Sequence, residues 1–427
     1  MGSRFSPLNL RSRVRLNKTS RGLLNLYSGT VLSGFGWGMV LPITLVIALA
    51  FGVSEGVVAQ LVTAFAVGKT AGIPVAGILA DRFGTRSSLL GGPALIAIGM
   101  LAAAASPWFL LLPVAMFIAG TGDSLWALGR EISGVDLVRR DQRGRVLSGF
   151  HGLHAAGMAI GPIVGGFLAD AVNFRAVFLE YAAVGGAAFV LALVAHNAKA
   201  SHRPQASPTN AGGGAKGIRG RIAATGALLK ELEPHMRTTY LVLVFATVAA
   251  FMFRMTFQSM LPIFAGSELG FTPLQIGALF SISGALVIAM IVPVGFILDK
   301  IGRKWATVPS TALPGLAFLL IPFTDSFVQL AILVGICGVA NGLSLGSLAA
   351  STYDVVPEHA RGRLQAIRRT VAEIGGVGAP LLGGLLLTVF NPGAPFLAYA
   401  PVLLLGGVLL AFVAKETLVK ERAPARA

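Results

Sequence analysis

The chain has 427 residues, of which 55% are hydrophobic and 12% are charged, and its mean hydropathy is +0.77. This composition excludes an ordinary water-soluble globular protein and indicates an integral membrane protein. The net charge of +16 does not indicate a nucleic-acid partner, because the basic residues interrupt apolar runs at alternate connections and form no interleaved basic and aromatic surface.

Long apolar runs predict the fold class, an all-α integral membrane protein. A run of about 20 residues crosses a hydrocarbon core of about 30 Å at about 1.5 Å per residue. The sequence therefore predicts twelve transmembrane spans in two six-helix repeats. They lie near residues 22–49, 54–80, 87–105, 107–129, 145–169, 175–197, 238–264, 272–298, 305–323, 327–351, 363–389 and 395–415.

The remaining segments are polar and divide the chain into five parts. Between the two halves, residues 197–217 contain Ser, Pro, Asn and a Gly212-Gly213-Gly214 run, a composition that is typical of a flexible linker. Within the linker, residues 218–233 have apolar positions at helical spacing and predict an interfacial amphipathic helix, with a calmodulin-like partner site as the alternative. The parts are a basic arm at 1–21, a first half at 22–197, the linker at 198–237, a second half at 238–415 and a tail at 416–427.

The placement of positive charge predicts the orientation in the membrane. Of the 34 Lys and Arg residues, all but four fall at one end of the predicted spans, the exceptions being Lys69, Arg130, Arg175 and Arg254. By the positive-inside rule, that end and both termini are predicted to be cytoplasmic. We therefore expect a multi-pass protein of the cell membrane, with the lipid bilayer as its surroundings.

A charged turn between spans two and three occurs twice. The first copy reads Gly77-Ile78-Leu79-Ala80-Asp81-Arg82-Phe83-Gly84-Thr85-Arg86, and the second begins at Gly295, 218 residues later. The same offset separates Asp136 from Asp354, and Arg143-Gly144-Arg145 from Arg361-Gly362-Arg363. The chain is therefore an internal duplication, as in many transporter folds.

These features resemble the major facilitator superfamily, whose loop motif is matched by Gly77, Asp81, Arg82, Gly84 and Arg86. The resemblance covers nearly the whole chain and implies alternating access around a central cavity between the halves. It also implies that Asp81 holds the first half against helix eleven when the cavity faces outward. Arg82, Arg86, Asp136 and Arg143 would be the neighbouring charges of this latch.

The physical properties of the loop residues predict structural roles for them, independently of the family resemblance. Gly77 would allow a neighbouring helix to approach closely, and Gly84 would permit a positive φ at the reversal. Asp81 is well placed to meet the N-terminus of another helix, where the helix dipole stabilises a negative charge. In the alternative interpretation, the charges of the loop only fix topology.

Span five contains Gly157, Gly161, Pro162, Gly165 and Gly166, a pattern similar to the motif of the drug:proton antiporter group. Span eleven has nearly the same pattern, so the alternative is inherited helix-packing chemistry. Span four departs from the antiporter pattern, because the position of the expected arginine falls near Ile118.

Charges inside spans are expensive and usually face a cavity or each other. Lys69 and Asp123 lie at similar depth in spans two and four, which permits pairing. Asp123 is the first candidate for a proton carrier, and the alternative is a permanent structural pair. Arg130, close to Glu131, is predicted to be an anchor at the membrane interface.

Further candidates lie in spans five, seven, ten and eleven. His154 and Glu373 have comparable depths and could form a proton relay, whereas Glu373 could instead pair with Arg369, four residues earlier. Arg254 has no obvious acid within its own helix and suggests an anionic substrate, and the alternative is that it pairs with an acid from another helix. The candidates for the substrate cavity are Lys69, Arg254, Gln258 and Asn341. In the alternative interpretation, Asn341 forms hydrogen bonds within the transmembrane helices.

The sequence contains no phosphate-binding loop, no metal-ligand cluster and no nucleophile with a nearby base, so neither an enzyme nor a cofactor is expected. We predict a secondary transporter that exports small amphiphilic compounds with protons as the coupling ion. The alternatives are uptake or exchange of an organic anion, movement of a lipid-like substrate, or a membrane sensor or scaffold. Nothing in the sequence indicates an oligomeric state.

Overall fold

The structure is a computed structural model that describes residues 18–139, 142–195, 234–357 and 360–417. The described residues contain helices and no β-strand, and twelve of the helices are long and apolar enough to cross a membrane. The predicted fold class is thereby confirmed. Most of the basic arm, of the linker and of the tail, and the predicted amphipathic helix at 218–233, lie outside the described residues.

The first half forms spans α1 to α6. Pro42 interrupts α1 with a short 3₁₀ turn, since proline cannot supply the backbone N–H that a continuous α-helix needs. The spans are α1 (Lys18–Val40, continued by Leu41–Ile43 and Thr44–Phe51), α2 (Glu55–Val58 and Gln60–Phe83), α3 (Thr85–Ala105), α4 (Leu111–Asp136), α5 (Arg143–Ala171) and α6 (Phe174–Ala195).

The second half forms spans α7 to α12. Its first helix begins at Pro234, four residues before the predicted start of this half, and proline suits the first position of a helix. The spans are α7 (Pro234–Ser267), α8 (Pro273–Phe296, continued by Ile297–Ile301), α9 (Lys304–Leu320, continued by Ile321–Phe323), α10a (Phe327–Ser344) with α10b (Ser347–Val355), α11 (Arg361–Val389) and α12 (Ala394–Val408, continued by Leu409–Val413).

The glycine pattern of span five is used for close packing on two sides of α5. Gly157, Gly161 and Gly165 each lie against a backbone carbonyl of α1, where an added Cβ would collide with the oxygen. Gly166 lies against the carbonyl of Pro273, at the start of α8 in the other half. The motif therefore packs α5 within its own half and also against the second half.

The two halves meet at the end of the bundle that lies away from the charged loops, which we call the opposite end. Here the Asp170 carboxylate accepts a hydrogen bond from the backbone N–H of Leu274 at 3.0 Å, at the positive start of α8. Gln60 Nε2 donates to the carbonyl of Pro380 on α11 at 3.1 Å. Polar contacts and glycine packing thus join the halves at this end.

At the other end, which we call the motif end, the first loop copy is not engaged. Asp81, Arg82 and Arg86 are exposed, and Asp81 forms no ion pair within the described part of the chain. Gly84 has a φ of 76°, as predicted. The expected close approach at Gly77 is not found, because a Cβ there would meet no atom within 4 Å. The face of α2 on which Gly77 lies therefore borders open space.

Candidate functional site

A buried ion pair lies between α2 and α4, at the similar depth that permits its residues to pair. Lys69 Nζ is 2.7 Å from Asp123 Oδ2, and Ser33 Oγ on α1 donates to Asp123 Oδ1 at 2.7 Å. Asp123 is buried, whereas the Lys69 side chain is 42% exposed. The carboxylate is therefore held inside the first half, and the ammonium remains partly exposed.

Small residues create the close helix contact that brings this pair together. A Cβ at Gly68 would collide with the backbone of Phe117, and a Cβ at Gly120 would collide with the backbone of Phe65. Ser124 Oγ also donates to the carbonyl of Lys69. The residue that carries the ammonium is thus fixed on both sides, which is how transmembrane helices commonly approach each other.

The duplicated half does not repeat this charge pair. At the offset of 218 residues, Asn341 corresponds to Asp123 and Val287 corresponds to Lys69. Asn341 is partly exposed, and its side chain makes no hydrogen bond within the described part of the chain. The Lys69–Asp123 pair is therefore a feature of one half only and is not required by the shared architecture.

An aromatic contact links the ion pair to the second half. Lys69 Nζ lies 5.7 Å from the ring centre of Phe65, and Phe65 stacks on Trp37 with ring centres 3.7 Å apart. Trp37 Nε1 then donates to Gln258 Oε1 on α7 at 3.4 Å. The sequence had indicated Gln258 as a polar cavity residue, but it gave no sign of its bond to Trp37.

The interpretation of Arg130 as an interface anchor is wrong. The side chain is buried, and its Nη1 donates to the carbonyl of Gly29 on α1 at 2.6 Å. The guanidinium carbon lies 4.1 Å from the ring centre of Trp126. Because Gly29 has no side chain, its carbonyl can be reached by the guanidinium, and the cation is stabilised inside the first half.

His154 and Glu373 belong to separate clusters in this structure. The groups that influence the His154 ring electrostatically lie in the first half. They belong to Lys69, Asp123, Arg130 and His151. Glu373 instead pairs with Arg369, with 3.6 Å between Oε1 and Nε. The second of the two sequence interpretations of Glu373 is the one that this geometry supports.

Arg254 lies on α7 beside the interruption of α10. Its Nη2 donates to Ser344 Oγ at 2.8 Å, and its guanidinium carbon is 5.1 Å from the ring centre of Phe251. The buried Nε has no hydrogen-bond acceptor. Glu373 acts on this cation electrostatically, although no contact joins the two side chains within the described residues.

The second loop copy takes part in a charge network with Asp354 and Glu416. Arg303 Nε lies 2.9 Å from Asp354 Oδ2, and the Glu416 carboxylate accepts from the backbone N–H of Arg303 at 2.8 Å. The position 218 residues before Arg303 is Thr85, which has no charge to offer Asp136. Asp299 itself remains 74% exposed and lies 3.8 Å from Arg303.

Several bacterial multidrug-resistance proteins are similar to the chain along most of its length. It is 24% identical to multidrug resistance protein 1 of Bacillus subtilis strain 168 over 404 residues, which cover 92% of this chain and 96% of that protein. It is 20% identical to the quinolone resistance protein NorA of Staphylococcus aureus strain MSSA476, with 92% and 96% covered. A shorter match to a multidrug resistance protein B homolog of Mycobacterium tuberculosis strain H37Rv is 34% identical but covers 34% of this chain and 27% of that protein.

Solved transporter structures share the fold. The peptide transporter POT in complex with sulfate superposes with a TM-score of 0.73 at 17% identity, over 92% of this chain and 94% of that chain. A POT family transporter in complex with a thioalcohol-conjugated peptide gives a TM-score of 0.72, with 92% and 95% covered. The sequence model described as Major Facilitator Superfamily matches residues 26–240 and 243–427, in the two halves of the duplication. The chain therefore belongs to the Major Facilitator Superfamily and is a membrane transporter.

Proposed function

We propose that this transporter exports small amphiphilic or drug-like compounds in exchange for protons, by alternating access between its two halves. The observation that carries the proposal is the buried Asp123 carboxylate, paired with a partly exposed Lys69 beside the aromatic contact to the second half. The similarity to multidrug-resistance proteins along most of the chain supports export of this substrate class.

The ion pair supplies a chemical basis for coupling to protons. While Lys69 contacts Asp123, the ammonium and the Ser33 hydroxyl stabilise the ionised carboxylate. If Lys69 turns towards its exposed side, the carboxylate stays buried without its paired cation, and burial then favours its protonated form. A change in the position of Lys69 would thus be linked to uptake or release of one proton at Asp123.

His154 is proposed as the second group of the proton path in the first half. The charges of Lys69 and Asp123 both influence the His154 ring electrostatically, so a change of charge in the pair would change how readily the imidazole binds a proton. Glu373 would serve the second half, where its partner is Arg369. Protons would therefore reach the cavity through one half at a time, without a direct contact between His154 and Glu373.

The loop at the motif end is proposed as the conformational latch. The halves are in contact at the opposite end, while Asp81 is exposed and has no ion pair among the described residues. This is the arrangement expected for a latch that closes only when the opposite end opens. We further propose that the motif end and both termini face the cytoplasm, as the distribution of Lys and Arg predicts.

A cell assay tests the proposed direction and substrate class. Bacterial cells that express the wild type should accumulate less of a lipophilic fluorescent dye than cells that express Asp123→Asn at the same membrane level. A protonophore should raise accumulation in wild-type cells to that of the variant. Equal accumulation of every dye in a panel, with and without the wild type, would contradict drug export.

A further inference from the structure

The interruption of α10 leaves a helix N-terminus inside the membrane domain without a cap. Leu345 is extended, and Gly346 has a φ of 76°, a conformation that glycine adopts at no steric cost. The first backbone hydrogen bond of α10b runs from Ala350 N–H to the carbonyl of Gly346, and no side chain caps the helix. The N–H groups of the first turn therefore lack partners in a buried setting.

Two side chains add unpaired donors at the same place. Ser347, the first residue of α10b, is completely buried, and its hydroxyl has no hydrogen-bond partner. Arg254 is held at the interruption by its bond to Ser344, and its buried Nε is likewise unpaired. Unpaired buried donors destabilise a protein, and an anion accepts hydrogen bonds from donors of each of these kinds.

The surroundings of the α10 interruption indicate an anion that carries an apolar group. A Cβ at Gly346 would meet no atom within 4 Å, and this glycine is exposed, so the interruption borders open space. Phe251 lies 5.1 Å from the guanidinium carbon of Arg254 and offers an apolar surface next to the charge. Interrupted transmembrane helices bind the anionic groups of substrates at their half-helix N-termini in other transporter folds.

We propose that Arg254, Ser347 and the N-terminus of α10b form a binding site for the carboxylate of a small amphiphilic anion. The guanidinium supplies the charge and the Nε donor, the first turn of α10b supplies backbone N–H groups, and Phe251 contacts the apolar part of the ligand. The site lies entirely in the second half and does not depend on proton coupling or on the direction of transport.

Equilibrium dialysis with the full-length protein in phosphatidylcholine nanodiscs tests this site. The probes are radiolabelled benzoate and its neutral counterpart benzamide. The wild type should bind benzoate at least about tenfold more tightly than benzamide, because bonds from charged donors favour the carboxylate. Arg254→Gln should remove this preference. Equal affinity of the wild type for the two probes would overturn the proposal.

Two further variants separate binding from folding. Ser347→Ala should weaken benzoate binding about threefold, since it removes one neutral donor. Ser88→Ala is the matched control, because the Ser88 hydroxyl is also fully buried and unpaired but lies on α3 in the other half. If Arg254→Gln does not fold, Arg254→Lys takes its place, because lysine keeps the positive charge but lacks the Nε donor of arginine. Arg254→Lys should bind benzoate about tenfold more weakly than the wild type does. Unchanged benzoate binding in Ser347→Ala and Arg254→Lys would refute the site.

Discussion

At the residue scale, the two members of the Lys69–Asp123 pair differ in burial. Asp123 is enclosed by α1, α2 and α4, whereas the Lys69 side chain is 42% exposed. Removing the ammonium leaves a buried anion, but removing the carboxylate leaves a cation that water can reach. Breaking a buried pair destabilises a protein mainly through the charge that stays behind.

We therefore expect Lys69→Met to destabilise the protein more than Asp123→Asn does. The difference in the free energy of unfolding should be about 1–3 kcal/mol, the range for a buried polar group without a partner. Thermal unfolding of the purified variants measures it, and the double variant should be more stable than Lys69→Met alone. A larger loss in Asp123→Asn than in Lys69→Met would show that this account of the pair is wrong.

Arg130 shows what sequence reasoning missed at this scale. Its guanidinium is stabilised by the carbonyl of Gly29 and by the ring of Trp126, which lies on its own helix. The bond to Gly29 depends on a backbone carbonyl of a different helix, and such a partner leaves no mark in the sequence. The similar depth of Lys69 and Asp123, by contrast, follows from their positions in the sequence, and it permits the two residues to pair.

Replacement of Arg130 by Lys should lower stability although the charge is kept. Lysine lacks the planar group that contacts the ring of Trp126, so we expect a loss of about 1–2 kcal/mol. The unfolding temperature of the variant in detergent measures this loss. Lys415→Arg, at an exposed position two residues after the end of α12, is the control and should have the unfolding temperature of the wild type. No change in Arg130→Lys would restore the interface-anchor interpretation.

At the element scale, α5 packs within its own half and also against the second half. The sequence left two interpretations of its glycines, an antiporter motif and inherited helix packing, and it could not predict which helix each glycine would contact. The contact of Gly166 with Pro273 depends on how the halves are placed relative to each other. The interruption of α10 at Gly346 was not predicted either, because single glycines are common in uninterrupted transmembrane helices.

The variant Gly166→Ala should shift the transporter towards a form that is open at the opposite end. Its Cβ would collide with the carbonyl of Pro273, so the contact between α5 and α8 cannot form as it does here. Spin labels on cysteines at Asn173 and Asp325 report the distance between the halves at this end. We expect a longer mean distance, or a second longer population, in the variant.

Gly186→Ala is the matched control for this experiment. A Cβ at Gly186 would meet no atom within 4 Å, and alanine favours a helix over glycine by about 0.5–1 kcal/mol. The distance distribution of this variant should match that of the wild type. The same distribution in both glycine variants would exclude a role of Gly166 in closing the opposite end.

At the scale of the whole molecule, the duplication is regular in its helices but unequal in its charges. The apolar runs and the offset of 218 residues were sufficient to predict twelve helices in two halves. The conformation was not predictable, because the sequence does not indicate which end of the bundle is closed. The charge pair belongs to the first half, and the Arg303–Asp354 network belongs to the second.

This inequality predicts different effects for the two loop acids. Asp81→Asn should slow the transport cycle more than Asp299→Asn, since the first copy is free to bind the other half, while the second is tied to its own helices through Arg303. Rates of dye efflux from loaded cells measure the difference, after correction for the amount of protein in the membrane. Equal rates in the two variants would indicate that the charges of the loops only fix the topology of the chain.

Proton flux in reconstituted vesicles tests proton-coupled export at Asp123 most directly. Proteoliposomes containing a pH-sensitive dye are exposed to a compound that the wild type expels from cells, and the internal pH is followed. The wild type should move protons only when the compound is present, and Asp123→Asn should reduce this flux to that of empty liposomes. Compound-dependent proton flux that persists in Asp123→Asn would contradict the assignment of Asp123, and its absence in the wild type would contradict proton coupling itself.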